Sequence, residues 1–359
     1  MKNKRITALI SLLLMITGCS SLNSNQSTPL SSGGYAAILP FETSDMRVKH
    51  SGLFTSLDAR IQMEEGLMEL SKQHFNPSSV GFKNHVFLTY DELDASDGSR
   101  GLLGTTRDDN PNGLNPSLDE EFDTGNGKVA GVTILVDIYE LDWYSNDTLK
   151  GISVGMVVND EVVSADGKAV AITDEKLKNY VKVSSAKLVS YMRQRFNEIA
   201  SDIPIYIAAF RLDSSDSAAS IGGYFYDGYY VGSQGSFGNI DEQWVSFPSA
   251  KFTEMDEELS KQYDDYESKI SMVLADYSYI TGTVKFEKQT PVQMNINVET
   301  HGKTAGEILA VTQSIRENLS IFTETSCNYI VRVSNNGTVY AMLQREAGST
   351  DVKVITTIS

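Results

Sequence analysis

Ile203-Pro-Ile-Tyr-Ile-Ala-Ala-Phe-Arg-Leu212 is an apolar run of strand length, and the elements on either side of it decide the fold. Upstream, Glu175–Ile199 carries Leu177, Val181, Leu188, Met192 and Ile199 at helical spacing, which predicts an amphipathic helix with one buried face. Further upstream, Ile152–Val158 reads as a strand. Downstream, Tyr224-Phe-Tyr and Tyr229-Tyr-Val flank Asp227-Gly228, a two-residue hairpin signal.

The same order recurs near the C-terminus. Val292–Val298 reads as a strand and Thr304–Leu319 as a helix. Thr304 and Glu307 form a capping box, and Ile308, Thr312, Ile315 and Leu319 share one face. Tyr329–Val333 and Thr338–Leu343 then flank Asn336-Gly337, a second hairpin signal. The expected fold is α+β, with two copies of a strand–helix–hairpin unit after an N-terminal helical and loop region. The expected boundaries are 35–130 for that region, 131–250 for the first copy and 251–359 for the second.

Outside the two units the pattern is less regular. Asp58–Phe75 predicts a helix capped by Asp58, with Ile61, Met68 and Phe75 on one face and Asn76-Pro77 as its stop. Asp91–Gly127 is acidic and rich in turn residues. Val132, Leu135, Val136, Tyr139 and Trp143 have helical spacing in a segment also rich in β-branched residues, and the reading leans to helix. Thr253–Tyr277 predicts one charged helix with a stripe of Met255, Leu259, Tyr263, Tyr266, Ile270 and Leu274. The strand Ile280–Phe286 follows.

The N-terminus carries a sorting signal. Lys2, Lys4 and Arg5 precede an apolar run that ends in Ile16-Thr17-Gly18-Cys19. The run is too short to span a bilayer, which takes about 20 apolar residues. A basic start, an apolar centre and two small residues before cysteine make a bacterial lipobox. Residues 1–18 are therefore expected to be a lipoprotein signal peptide, cleaved between Gly18 and Cys19. The Cys19 thiol would carry a diacylglyceryl group. The implied partners are prolipoprotein diacylglyceryl transferase, lipoprotein signal peptidase and the membrane itself, and the expected location is the outer face of the cytoplasmic membrane. Residues 19–34, dominated by serine and asparagine, read as a flexible tether.

Composition narrows the function. The 359 residues carry a net charge of -17, and the three basic residues of the leader make the remainder more acidic still. That balance argues against nucleic acid as a partner and against electrostatic adhesion to anionic lipid. With Cys19 lipidated, Cys327 stands alone in an apolar run and reads as a buried small hydrophobe. His50, His74, His85 and His301 show no metal-ligand spacing, so no metal and no cofactor are expected.

Two surface candidates remain. Gly151-Ile-Ser153-Val-Gly155 matches the G-x-S-x-G pattern of hydrolase nucleophile elbows, which would make Ser153 the nucleophile of a serine hydrolase. That chemistry needs a helix directly after the serine, and here the strand continues. The stretch Gly222–Gly238 is rich in glycine and aromatics. Tyr224, Tyr226, Tyr229 and Tyr230 on it could form a peptide- or glycan-binding surface, or pack against the sheet.

Blocks along nearly the whole mature chain resemble the CamS family of Gram-positive sex pheromone precursor lipoproteins. They are Tyr35-AAILPFETSDMR-Val48, Met63-EEGLMELSKQHFNP-Ser78, Gly113-LNPS-Leu118, Gly151-ISVGMVVN-Asp160, Asp202-IPIYIAAFRLDSSDS-Ala218 and Tyr277 to Phe286. The resemblance implies the two-copy CamS repeat architecture. It also implies that the end of the signal peptide is trimmed to a short apolar peptide sensed by donor cells carrying conjugative plasmids. The corresponding residues are Leu12, Leu13, Leu14, Met15, Ile16, Thr17 and Gly18. For the mature part it implies no catalytic residue, so a non-enzymatic binding or adhesion module is expected there.

Overall fold

The computed structural model describes residues 25–46, 57–95, 100–213, 220–273 and 278–358. The leader, Cys19, His50 and Leu274 lie outside the described residues.

The first strands are β1 (Ala36–Ala37), β2 (Gly81–Asn84), β3 (Glu121–Asp123), β4 (Lys128–Ala130), β5 (Leu135–Ser145) and β6 (Thr148–Asn159). They continue as β7 (Glu161–Val163), β8 (Ala169–Ala171), β9 (Ile205–Leu212), β10 (Ser220–Val231), β11 (Gln234–Asn239) and β12 (Glu242–Phe247). The last five are β13 (Ser278–Glu287), β14 (Thr290–Thr300), β15 (Asn328–Asn335), β16 (Thr338–Arg345) and β17 (Val352–Thr356). The helices are α1 (Leu57–Ser71), α2 (Tyr90–Leu93), α3 (Asp174–Arg195), α4 (Ala250–Met255), α5 (Glu257–Ser271) and α6 (Ala305–Asn318). The fold is α+β.

Thirteen strands form one sheet in the order β1-β2-β5-β6-β9-β10-β12-β13-β14-β15-β16-β17, with β11 paired to β10. In the first half, β5 pairs antiparallel with β6, β6 runs parallel to β9 through the crossover helix α3, and β9 turns back antiparallel into β10. In the second half, β13 and β14 are antiparallel, β14 runs parallel to β15 through α6, and β15 is antiparallel to β16. The halves of the sheet meet where β10 pairs β12, among the described residues over Ser220↔Val245 and Gly222↔Trp244, across an irregularity in register.

In the first half, Ile152, Val154, Met156 and Val158 of β6 pack under Leu177, Val181, Leu188 and Met192 of α3. Val157 of β6 faces the other way, into a separate core with Met63 and Leu67 of α1. In the second half, Met294, Ile296 and Val298 of β14 pack with Leu259, Tyr263 and Tyr266 of α5 and with Ile308, Val311 and Ile315 of α6. The Thr304–Glu307 capping box forms as expected. Asn336 and Gly337 both take positive φ in the β15–β16 turn, the geometry a two-residue hairpin loop requires.

Several expectations are corrected. Val132–Trp143 is not helical: most of it is β5, apolar because both faces of the sheet are covered there. Asp227-Gly228 is not a turn but lies inside β10, and the chain turns at Gly232-Ser233 instead. Asp58 sits inside α1 rather than capping it, and the buried face is Met63, Gly66, Leu67 and Ser71, with Ile61 exposed. The long helix after Thr253 is two helices, because the Asp256 carboxylate accepts the Leu259 N–H at 2.9 Å and starts α5 anew. The tether is shorter than residues 19–34, since Ser27 N donates to the Ala37 carbonyl and Leu39 N to that of Asn25.

Candidate functional site

The four hairpin tyrosines do not share a face. Opposite β9, Tyr224 pairs with Phe210 and Tyr226 with Ala209, so Phe225 is an extra residue, a β-bulge. The bulge turns Phe225, Tyr226 and Tyr230 toward the α3 core and leaves Tyr224 and Tyr229 on the α1 side. Tyr224 is buried and donates its hydroxyl to the Met63 carbonyl at 2.7 Å. Tyr230 is buried with its hydroxyl 2.7 Å from Ser185 Oγ. Tyr226 stacks on Phe237, and Tyr229 stacks on His74 at 4.3 Å between ring centres. Their aromatic area goes into packing, not into a common recognition surface.

Ser153 is fully buried in mid-strand. Its Oγ accepts from Trp143 Nε1 at 2.8 Å and lies 2.7 Å from Ser71 Oγ. His301, the downstream histidine in the expected order, instead approaches Asn336 at 3.3 Å. The G-x-S-x-G pattern has a different use here, as the docking track for α1. A Cβ on Gly151 would come within 2.0 Å of the Phe75 ring, and one on Gly155 within 3.4 Å of Leu67. Ser153, between them, meets Ser71. Leu67 and Ser71 are four residues apart on α1, about 6 Å along a helix, and Phe75 follows in the turn after it. Positions 151, 153 and 155 are two apart, about 6.6 Å along a strand. The near-match in spacing lets the end of α1 lie along the strand, one helical turn to every two strand residues, with Phe75 continuing the track beyond the helix.

Cys327 is buried as expected, and burial pushes its thiol up to about 12, which keeps it protonated and unreactive. His85 is buried with Nδ1 2.8 Å from the Leu88 carbonyl. No group of three His, Cys, Asp or Glu among the described residues could hold a metal ion.

Two charged clusters were not singled out from the sequence. The first lies on β5, where Glu140 and Asp142 are fully buried side by side. The strap after β2 crosses them: Leu88 N donates to Glu140 Oε2 at 2.7 Å and Val86 N to Asp142 Oδ2 at 3.1 Å. Glu140 Oε1 and Asp142 Oδ1 are buried without a hydrogen bond of normal geometry, and a proton held between the two neighbouring carboxyls would satisfy both. Burial, with Asp142 beside it, holds Glu140 well above the usual carboxylate range, and burial pushes Asp142 up to about 7. Acidic residues inside the apolar run Leu135–Trp143 were the available signal.

The second cluster lines a cleft of about 520 Å3 between α1, the β11–β12 connection and the β13–β14 hairpin. At its base Lys285 Nζ lies 3.0 Å from Glu242 Oε2 and 2.9 Å from Glu287 Oε1. Burial works against the charge on Lys285, but Glu242 and Glu287 outweigh it and hold the amine above its ordinary value. These residues come from neighbouring strands far apart in sequence, and no local pattern joins them.

The sequence model of the CamS family, described as CamS sex pheromone cAM373 precursor, matches residues 41–351. Among solved structures, a sex pheromone precursor from Lactobacillus salivarius subsp. salivarius superposes with a TM-score of 0.80 at 19% identity, covering 93% of this chain and 99% of that one. The C-terminal domain of the sex pheromone staph-cAM373 precursor from Staphylococcus aureus superposes with a TM-score of 0.68 at 20% identity, covering 84% and 97%. At these identities the structural likeness speaks to the fold. No curated protein matches the chain.

Proposed function

Because the chain belongs to the CamS family of sex pheromone precursors, we propose that it is a two-product lipoprotein. One product is the leader fragment Leu12–Gly18, a pheromone-like peptide for donor cells carrying conjugative plasmids. The other is the mature chain from Cys19, held by diacylglyceryl on the outer face of the cytoplasmic membrane. There it acts as a non-enzymatic binding or adhesion module.

The observation that carries this reading is Ile16-Thr17-Gly18-Cys19 behind Lys2, Lys4 and Arg5. The fragment has no charged side chain and is small, so it suits release and re-import. The acidic mature chain offers anionic lipid no electrostatic attraction, which leaves a covalent lipid as the physical means of retention. The non-enzymatic part is supported by the enclosure of Ser153 between Trp143 and Ser71.

The test is metabolic labelling with an alkyne fatty acid, together with mass spectrometry of the culture medium. The expected result is a labelled membrane protein, loss of label and of membrane retention in Cys19→Ala, and a fragment ending at Gly18 in the medium of the unmodified strain. Labelling that survives Cys19→Ala would overturn the anchor. A labelled protein with no such fragment would overturn the peptide product.

A further inference from the structure

We propose that the cleft over Glu242 binds an organic cation, an alkylammonium or alkylguanidinium group, with Glu242 as its principal acceptor. The first observation is unbalanced charge. Glu69, Asp227, Asp241, Glu242 and Glu287 line the cleft with Lys285 and Lys288, and Glu69 is already paired to Lys72 at 2.5 Å, which leaves four carboxylates against two cations. Lys285 is shared between Glu242 and Glu287, so one ammonium serves two carboxylates.

The second observation is independent of that count. The Glu242 side chain is only 2% exposed, and its Oε1 makes no hydrogen bond within normal limits. A buried, half-satisfied carboxylate is costly unless something completes it. Burial raises the pKa of Glu242 even though Lys285 and the Tyr224 amide pull it down, so the positive charge already present is insufficient.

The shape selects the ligand. The carboxylates do not converge on a point as metal ligands would. Leu70, Ile240 and Val292 supply apolar wall in the same cleft. A charged head on a methylene stem fits both features, with the stem against the wall and the head at Glu242. An anion would meet the carboxylates, and a purely apolar ligand would leave Glu242 unsatisfied. Such a head group can come from a free polyamine-like molecule or from a basic side chain of a peptide.

Calorimetric titration of the folded chain at neutral pH separates these sources, using agmatine as the free cation and acetyl-Gly-Lys-Gly-amide as the peptide. At least one probe is expected to bind saturably, more weakly at high salt. Glu242→Gln should weaken that binding roughly tenfold or more, the effect of about 1.4 kcal/mol. If Glu242→Gln does not fold, Asp241→Asn, at an exposed position, carries the comparison and should also weaken binding. Failure of both probes to bind, or unchanged affinity in the folded variant, would overturn the proposal. Neither result bears on lipidation or on the leader fragment.

Discussion

The two halves of the sheet share one order of pairings but are covered differently. Helix α3 and helix α1 cover the two faces of the first half, whereas α5 and α6 cover one face of the second. The central strands record the difference. Strand β6 is buried without a break from Gly151 to Val158 and reads Gly-Ile-Ser-Val-Gly-Met-Val-Val. In β14, Met294, Ile296 and Val298 are buried while Gln293, Asn295 and Asn297 are half-exposed. A strand between two layers has no polar face to show, and a strand under one layer must alternate. The second cover brings its own demands. Glycines must make room for α1, and Trp143 and Ser153 must satisfy each other inside the layer.

The most severe test of this contrast is to fill the track. Gly151→Val places a branched side chain where even a Cβ lies 2.0 Å from Phe75. It should cost about 4 kcal/mol or more, a large part of an ordinary domain's 5–15 kcal/mol. Asn297→Val, on the open face of the other half, should stay within about 0.5 kcal/mol. Urea denaturation followed by circular dichroism measures both. Similar losses in the two variants would break the distinction between a covered and an open face.

A second test uses the buried carboxyl pair that, among the described residues, the first half has and the second lacks. Burial pushes Asp142 up to about 7 from an ordinary 3.8, and burial with Asp142 beside it holds Glu140 well above the usual carboxylate range. The folded chain therefore holds these protons more tightly than the unfolded chain. The stability they contribute is fully present below about pH 4 and is lost as pH rises toward and beyond 7. For Asp142 alone this corresponds to on the order of 4 kcal/mol at most. Lys83 favours its ionised form, while the neighbouring Tyr144 hydroxyl is kept neutral by burial and by the pair itself. In Glu140→Gln the amide can still donate to Asp142 and accept from Leu88, but it cannot ionise. Unfolding free energy measured from pH 5 to pH 9 should fall with pH in both proteins, and should fall less in the variant, which has one raised carboxyl to ionise instead of two. Identical profiles would mean that the pair does not share a proton.

The legible parts of the sequence were those where local chemistry acts alone. Thr304 and Glu307 cap α6 through their own side chains, and Asn336-Gly337 turns because both residues accept positive φ. Asp227-Gly228 has the same local look but a different neighbourhood. Gly228 faces the Phe237 ring, which a Cβ would approach to 2.8 Å, so the glycine makes room across a strand instead of bending it. The lean to helix over Val132–Trp143 failed because a segment apolar on both faces satisfies helical spacing by chance. The charged cleft was illegible for a further reason, since Glu242 and Lys285 meet only through the β12–β13 pairing.

The smallest effect tests the single cover of the second half. Helix α6 begins where the Thr304 hydroxyl accepts the Glu307 N–H and the Glu307 carboxylate receives the Thr304 N–H at 2.7 Å. Thr304→Ala removes the first of these bonds, and the Thr304 amide can still reach Glu307. The loss should be about 1 kcal/mol. Because α6 buries Ile308, Val311 and Ile315 over the face it shares with α5, loosening its first turn should speed amide exchange in β14 and β15. Exchange in β6 and β9, held between two layers, should not change. Equal acceleration in both halves would show that they open as one unit, and that the short joint between β10 and β12 couples them more tightly than its two register pairs suggest.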